Sequence, residues 1–163
     1  MSHIQDTNHI AGSYENVGIV VWHHETTPEA VTNLATMLWQ LADTREEAKI
    51  GLIQIVEAKC APLSSDARQA IGELLQSGAS RIECSTVVYE GQGFRAATVR
   101  GIVTGLAMFT RTSFPHHVFA TVPAAIQWHV AHLRRTNPRL SETGLVGAVA
   151  ALRNKLSASA PPT

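Results

Sequence analysis

The sequence predicts an α/β domain with a mixed, mostly parallel sheet of about five strands, helices packed against it, and an extra C-terminal helix. Two observations lead to this fold class. Short β-branched runs alternate with amphipathic stretches along a chain of 163 residues. One run, 49–57, is almost continuously apolar, as is typical of a central strand covered on both faces. The length suits one domain with a substantial core.

Composition limits the function classes. Lys plus Arg and Asp plus Glu each number 13, so the formal net charge is zero. This balance argues against binding nucleic acid or a membrane surface through bulk positive charge. No apolar stretch reaches the roughly 20 residues that a membrane span needs, and residues 1–12 lack a signal-peptide core. We therefore expect a cytoplasmic protein with no nucleic-acid partner and no membrane insertion.

Cys60 and Cys84 form no Cys-x-x-Cys pattern and are expected to be free, buried thiols.

The first elements follow from local signals. The runs 9–14 and 17–22 flank Glu15-Asn16 and predict a hairpin. Thr27-Pro28-Glu29 combines an N-cap, a proline at the first helical position and an acidic first turn, so a helix is expected from there to about Asp43.

The remaining elements alternate. Ser64-Ser65-Asp66 predicts a capped helix that ends at Gly78. We further expect strands at 49–57, 81–89 and 117–120, and helices at 94–110, 122–134 and 141–156. The domain is predicted to cover 9–134, with a helical extension at 138–156 and frayed ends at 1–8 and 157–163.

Two segments resemble a known family. They are 87–105, which contains VVYEGQGFRAA and VRGIVTG, and 115–128, PHHVFATVPAAIQW. The second is similar to the short strand, turn and Ala- and Trp-bearing helix that end STAS-like domains of the SpoIIAA-like group. The order of elements agrees over about 9–134. The resemblance implies a STAS-like fold and a regulatory role in binding protein partners.

The resemblance also directs attention to a serine. Anti-sigma-factor antagonists of this group are phosphorylated on a serine that begins the helix after the central strand. Ser64 and Ser65 occupy the matching region, but no Asp precedes them and no Gly follows them. A phosphate there would meet the positive end of the helix dipole. The alternative is that one serine is simply an N-cap.

A second candidate is a small-ligand or anion site at the predicted strand-to-helix turn. Gly91 and Gly93 stand where dinucleotide folds place a phosphate loop, although the third glycine of that fingerprint is replaced by Ala96. Arg95 and Arg100 could hold an anion. The alternative is a tight turn that needs glycine for conformational reasons.

Self-association is the third expectation. The predicted helix 94–110 is apolar on nearly all sides, and Gly101 and Gly105 continue a stripe of small residues. Such a helix needs cover on more than one side, from the C-terminal helix or from a second subunit. Leu145, Val149 and Leu152 make the matching apolar face of that last helix.

The histidines do not make a metal signature. His23 and His24 are adjacent on a strand end, so their side chains are expected to diverge. His129 and His132 are three apart on a helix, a spacing that ordinary surface histidines also show. We predict no metal, no cofactor and no catalytic residue, and no sequence motif assigns an enzyme. The leading hypothesis is a non-enzymatic interaction module that forms a homodimer or binds another protein.

Overall fold

The computed structural model describes residues 3–44, 49–91 and 113–158. Within these ranges the chain forms six strands and four helices. In chain order they are β1 His3–Gln5, β2 His9–Tyr14, β3 Val17–Trp22, α1 Pro28–Asp43, β4 Ile50–Val56, α2 Ser65–Ser77, β5 Ile82–Tyr89, β6 His116–Phe119, α3 Val122–Leu133 and α4 Glu142–Ala158.

The strands form one mixed sheet. Over the described residues its spatial order, β1-β2-β3-β4-β5-β6, is also the order along the chain. β1, β2 and β3 are antiparallel neighbours, whereas β3, β4, β5 and β6 run parallel. All four parallel strands therefore end at the same edge of the sheet, which we call the carboxyl edge. β1 and β6 are its two outer strands.

Each face of the sheet is covered by helices. Alternate side chains of the strands point to opposite faces, so each strand contributes to two clusters of buried residues. Leu34 and Leu38 of α1 and Leu75 of α2 pack on one face. Leu133 of α3 and Leu145 of α4 pack on the other. The continuous apolar run of β4 is explained by this double burial.

Helix starts follow their sequence signals. Thr27 is the N-cap of α1, and its hydroxyl accepts a hydrogen bond from the Ala30 N–H at 3.2 Å. Ser64 caps α2 in the same way through the Ala67 N–H at 3.1 Å. Thr121 is the N-cap of α3 but makes no such side-chain bond. The first two caps satisfy donors that the helix itself leaves unpaired.

The last helix shares the core of the domain. Leu145, Val149 and Leu152 are at most 5% exposed and lie in the same cluster as buried side chains of β2 to β5. The turn before α4 is fixed by Asn137, whose Nδ2 donates to Asn16 Oδ1 at 2.8 Å. An extension at 138–156 was expected, and its helix is integral to the packing. These three side chains form the apolar face of α4, and that face is buried inside the same chain. Their position therefore gives no support to a role in an interface with another subunit.

The predicted α/β class and mixed sheet are confirmed. The described sheet has six strands instead of about five, because β1 forms where fraying was expected. β1 is held by pairing with β2. This pairing could not be predicted from a segment of only three, mostly polar residues. The predicted helix 94–110 lies outside the described residues. No helix in the described ranges combines the length and the apolar character that crossing a membrane requires.

Candidate functional site

The backbone of the outer strand β6 pairs with one strand only, β5, as far as the described residues extend. The N–H of Ser85 donates to the Pro115 carbonyl at 3.0 Å, which sets the register of the parallel pair. In a parallel ladder, alternate residues bond to the same neighbour. The backbone groups of His117 and Phe119 therefore face β5, and those of His116 and Val118 face away from it. No strand of the described chain lies beyond β6.

Four rings cluster beside this open edge. His117 and Phe119 project from β6 on the side covered by α3, which contributes Trp128 and His132. The Trp128 ring centroid lies 3.9 Å from that of His132 and 5.0 Å from that of His117. The Phe119 centroid is 6.1 Å from both Trp128 and His117. We call these four residues the edge patch.

The edge patch is partly open to solvent. His117 and His132 are exposed, whereas Phe119 and Trp128 are half-buried. His132 is fixed because its Nδ1 lies 3.0 Å from the Trp128 carbonyl oxygen, to which it donates. Aromatic rings supply a large apolar area with few rotatable bonds, which is why they dominate the energy of many interfaces. The arrangement can therefore bind an apolar or aromatic surface beside a strand-pairing edge.

A second polar cluster lies beneath α3. His129 is fully buried, with Nε2 3.0 Å from Thr86 Oγ1 and Nδ1 3.4 Å from Cys84 Sγ. A Cβ at Gly51 would come within 2.8 Å of His129 Nδ1, so glycine leaves the space that the imidazole occupies. The cluster fixes the position of α3 on the sheet.

The charge state of this cluster is neutral. Burial lowers the pKa of His129 to about 3, aided by the nearby His132. Burial also raises the pKa of Cys84 to about 12, aided by the charge of Glu83. A nucleophilic cysteine needs the opposite shift, toward thiolate at neutral pH. Cys84 and His129 therefore form a buried hydrogen-bonded pair without the charges of a reactive thiolate. Cys60 is buried as well, and the prediction of two buried cysteines that form no disulfide is confirmed.

Ser85 and His116 form a pair on the opposite face of the sheet. Ser85 Oγ lies 2.5 Å from His116 Nδ1, and Ser85 is fully buried. Burial lowers the pKa of His116 to about 4, with a smaller contribution from His117. The imidazole is neutral at pH 7, and the buried hydroxyl offers no exposed nucleophile.

Two contacts between a basic and an acidic side chain lie along the carboxyl edge. His23 Nδ1 lies 2.6 Å from Glu57 Oε2, and Arg153 Nη2 of α4 donates to Glu90 Oε1 at 2.7 Å. Glu57 and Glu90 directly follow Val56 and Tyr89, which are register partners, so the two pairs occupy neighbouring strand ends. In the described part of the chain, no three His, Cys, Asp or Glu side chains are placed to hold a metal ion.

The predicted serines are both exposed at the start of α2. The Ser64 hydroxyl is engaged as the N-cap, whereas Ser65 Oγ donates to Asp66 Oδ1 at 3.1 Å. The N-cap alternative thus describes Ser64, and Ser65 keeps a more accessible hydroxyl.

The predicted ligand turn is described only at its start. Gly91 packs directly against the ring of Tyr89 at the carboxyl edge. Gly93, Arg95, Arg100, Gly101 and Gly105 lie outside the described residues.

Sequence reasoning missed the edge patch as a unit. Trp128 and His132 are four apart on α3, a spacing that places two side chains on one helix face. Their contact with Phe119 and His117 depends on how α3 packs against β6, and no local sequence signal predicts that packing. Arg153 was missed for the same reason, since its partner Glu90 directly follows a strand that is distant along the chain.

Comparisons of this chain with protein-family models, with curated proteins and with solved structures gave no match.

Proposed function

We propose that this chain is a non-enzymatic regulatory module of the STAS-like kind, which acts by binding protein and associates with a second copy of itself. The observation that carries the proposal is the open strand β6 with the edge patch beside it. Three further features are consistent with it: α/β architecture, order of elements and a helix that begins at two serines.

Edge-strand pairing supplies the binding mode. Unpaired N–H and C=O groups on an outer strand readily pair with another strand, which natural sheets usually prevent with charge, proline or a covering element. β6 carries no charged carboxylate, lysine or proline within His116–Phe119. The outward backbone groups of His116 and Val118 are therefore suited to strand addition.

A second copy is the occupant that this geometry favours. Two β6 strands related by a two-fold axis would pair antiparallel, with the same residues contributed from each side. The edge patches would then lie beside the shared strands and exclude water from the new hydrogen bonds. Leu145 and Val149, the sequence-predicted interface, remain inside each chain.

Surface variants test this arrangement in the full chain, because removal of α4 would expose the core that it covers. We expect Val118→Pro and Trp128→Ala to lower the dimer fraction at least tenfold, measured by light scattering coupled to size exclusion. Val118→Pro removes an outward-facing N–H, a position where an outer strand tolerates proline. The control is Val146→Ala, which shortens an exposed apolar side chain on α4. Dimers that persist in both edge variants, with native circular dichroism, would contradict the proposed surface.

The same proposal includes regulation of protein binding by phosphorylation of Ser65. Its exposed hydroxyl stands in the first turn of α2, where a phosphate meets unpaired N–H groups, although Asp66 adds a like charge. We expect Ser65→Glu to change binding of a protein partner without unfolding the chain, and Ser64→Glu to lower the melting temperature because it removes a cap. Equal effects on stability from both substitutions would contradict this distinction.

A further inference from the structure

His23 lies at the carboxyl edge, directly after the end of β3. Its backbone N–H donates to the Asn8 carbonyl at 2.7 Å. The carbonyl of the next residue, His24, accepts from the Ala61 N–H at 2.6 Å. The backbone that carries the His23 imidazole is therefore bonded to segments on two sides, and its position is fixed.

A carboxylate orients the imidazole itself. His23 Nδ1 lies 2.6 Å from Glu57 Oε2. An ionised carboxylate can only accept a hydrogen bond, so in the neutral ring Nδ1 carries the proton and Nε2 carries the lone pair. The His24 ring lies edge-on to the same imidazole, with 4.3 Å between the centroids. The ring is thus held from two sides in a defined tautomer.

The contact between His23 and Glu57 is not needed to join the strands. The backbone N–H of Glu57 already donates to the Trp22 carbonyl at 3.0 Å, which connects the ends of β3 and β4. A contact between two partly exposed side chains adds little to stability. Its main consequence is chemical, because a carboxylate at Nδ1 stabilises the positive charge that develops on the ring when Nε2 reacts.

Among the described histidine side chains, His23 combines a carboxylate at Nδ1 with access to solvent. Its side chain is 19% exposed. His9 lies 2.9 Å from Asp6, but it is only 1% exposed, and His129 is fully buried. His132 is exposed, but its Nδ1 faces a neutral carbonyl group. The combination at His23 is that of an oriented nucleophile.

We infer that His23 is a phosphoryl acceptor, modified at Nε2 by a donor of the phosphoramidate class. Nε2 attacks the phosphorus and forms a new P–N bond, while the P–N bond of the donor breaks and its protonated nitrogen leaves as the amine. The ring becomes a cation that keeps its Nδ1 proton, and Glu57 offsets this charge. The phosphoryl group brings about two negative charges to the carboxyl edge.

This site does not rest on the proposed self-association. His23 follows β3, and two strands, β4 and β5, separate β3 from β6. Modification of one residue and the mass of the chain in solution are separate measurements, so failure of either proposal leaves the other testable.

Potassium phosphoramidate is the probe, applied to the full chain at neutral pH. Mass spectrometry after digestion without acid locates the modified residue, and phosphorus–proton correlation spectroscopy distinguishes Nε2 from Nδ1. His24 is the internal reference, because it lies beside His23 and is the more exposed of the two. We expect His23 to react about tenfold faster than His24 in the folded chain, at Nε2, and both to react at similar rates in urea.

A pair of variants tests the carboxylate. Glu57→Gln keeps the size of the side chain and an oxygen acceptor for Nδ1 but removes the charge, so we expect the His23 rate to fall about fivefold or more. Glu25→Gln is the matched control, since it removes an exposed carboxylate two residues from His23 and should stay within about twofold of the wild-type rate. Circular dichroism establishes that both variants are folded.

Three results would overturn the site. The first is a His23 rate in the folded chain no higher than that of His24. The second is a His23 product at Nδ1. The third is a rate that Glu57→Gln leaves unchanged, or lowers no more than Glu25→Gln does.

Discussion

At the scale of single residues, the imidazole of His129 shows how burial decides chemistry. Cys84, His129 and Thr86 have the residue types of a catalytic cluster, but burial keeps the thiol protonated and the imidazole neutral. The neighbouring His132, on the outer side of the same helix, is exposed, and its ring lies against that of Trp128. Two histidines three residues apart therefore have separate roles, one in the core and one in the edge patch.

The lowered pKa of His129 predicts a loss of stability in mild acid. Between pH 6.5 and about 3, the unfolded chain binds a proton at this residue that the folded chain does not, so stability is present above pH 6.5 and falls as pH decreases. From pH 7 to pH 5 the loss should be about 2 kcal/mol. Urea unfolding at the two pH values measures it.

His129→Gln should remove this part of the pH dependence, whatever its effect on stability at pH 7. The exposed His24 provides the control, because His24→Gln removes an imidazole without opening the core and leaves His129 in place. An identical slope in His129→Gln and the wild-type chain would show that this imidazole is not the group responsible. His116, whose pKa is also lowered, contributes in the same direction and remains in both variants.

The raised pKa of Cys84 predicts an unreactive thiol. In a Cys60→Ser chain, a thiol-specific disulfide reagent at pH 8 should modify Cys84 at least a hundredfold more slowly in the folded state than in urea, because burial denies both access and ionisation. Absorbance of the released thiolate follows the reaction. Fast modification of the folded chain would mean that the cluster opens or carries a thiolate.

At the scale of elements, the caps give a matched comparison. Thr27→Ala removes a hydroxyl that accepts the Ala30 N–H and should cost about 1 kcal/mol. Thr121→Ala removes an N-cap hydroxyl without such a bond and should stay within about 0.5 kcal/mol. Denaturant unfolding of both variants measures the difference. Equal losses would show that the Thr27 hydrogen bond does not stabilise α1.

Element boundaries were predictable where the signal is local. The hairpin at 9–22, the start of α1 at Pro28 and the stop of α2 near Gly78 follow from β-branched runs, caps and turn residues. β1 was missed because three residues beside polar neighbours acquire strand structure only by pairing with β2. The burial of Leu145 inside the domain was not predicted. The apolar face of a helix indicates that it is buried against something, but it does not indicate whether the partner is the same chain or a second one.

At the scale of the molecule, the sheet order determines where binding can occur. Strands that follow one another in space leave two outer strands, and in the described chain β6 is the one with the edge patch beside it. The carboxyl edge, where Arg153 pairs with Glu90, lies at the strand ends instead. Neither place was evident from the sequence, since each joins residues that are distant along the chain.

The central claim is that this chain associates with itself through β6, and the most direct measurement is the mass of the wild-type chain in solution over a range of concentrations. Sedimentation equilibrium should give twice the chain mass of 17.6 kDa at the upper concentrations, with a reversible fall toward one chain on dilution. A mass of 17.6 kDa at every concentration up to the millimolar range would contradict the claim.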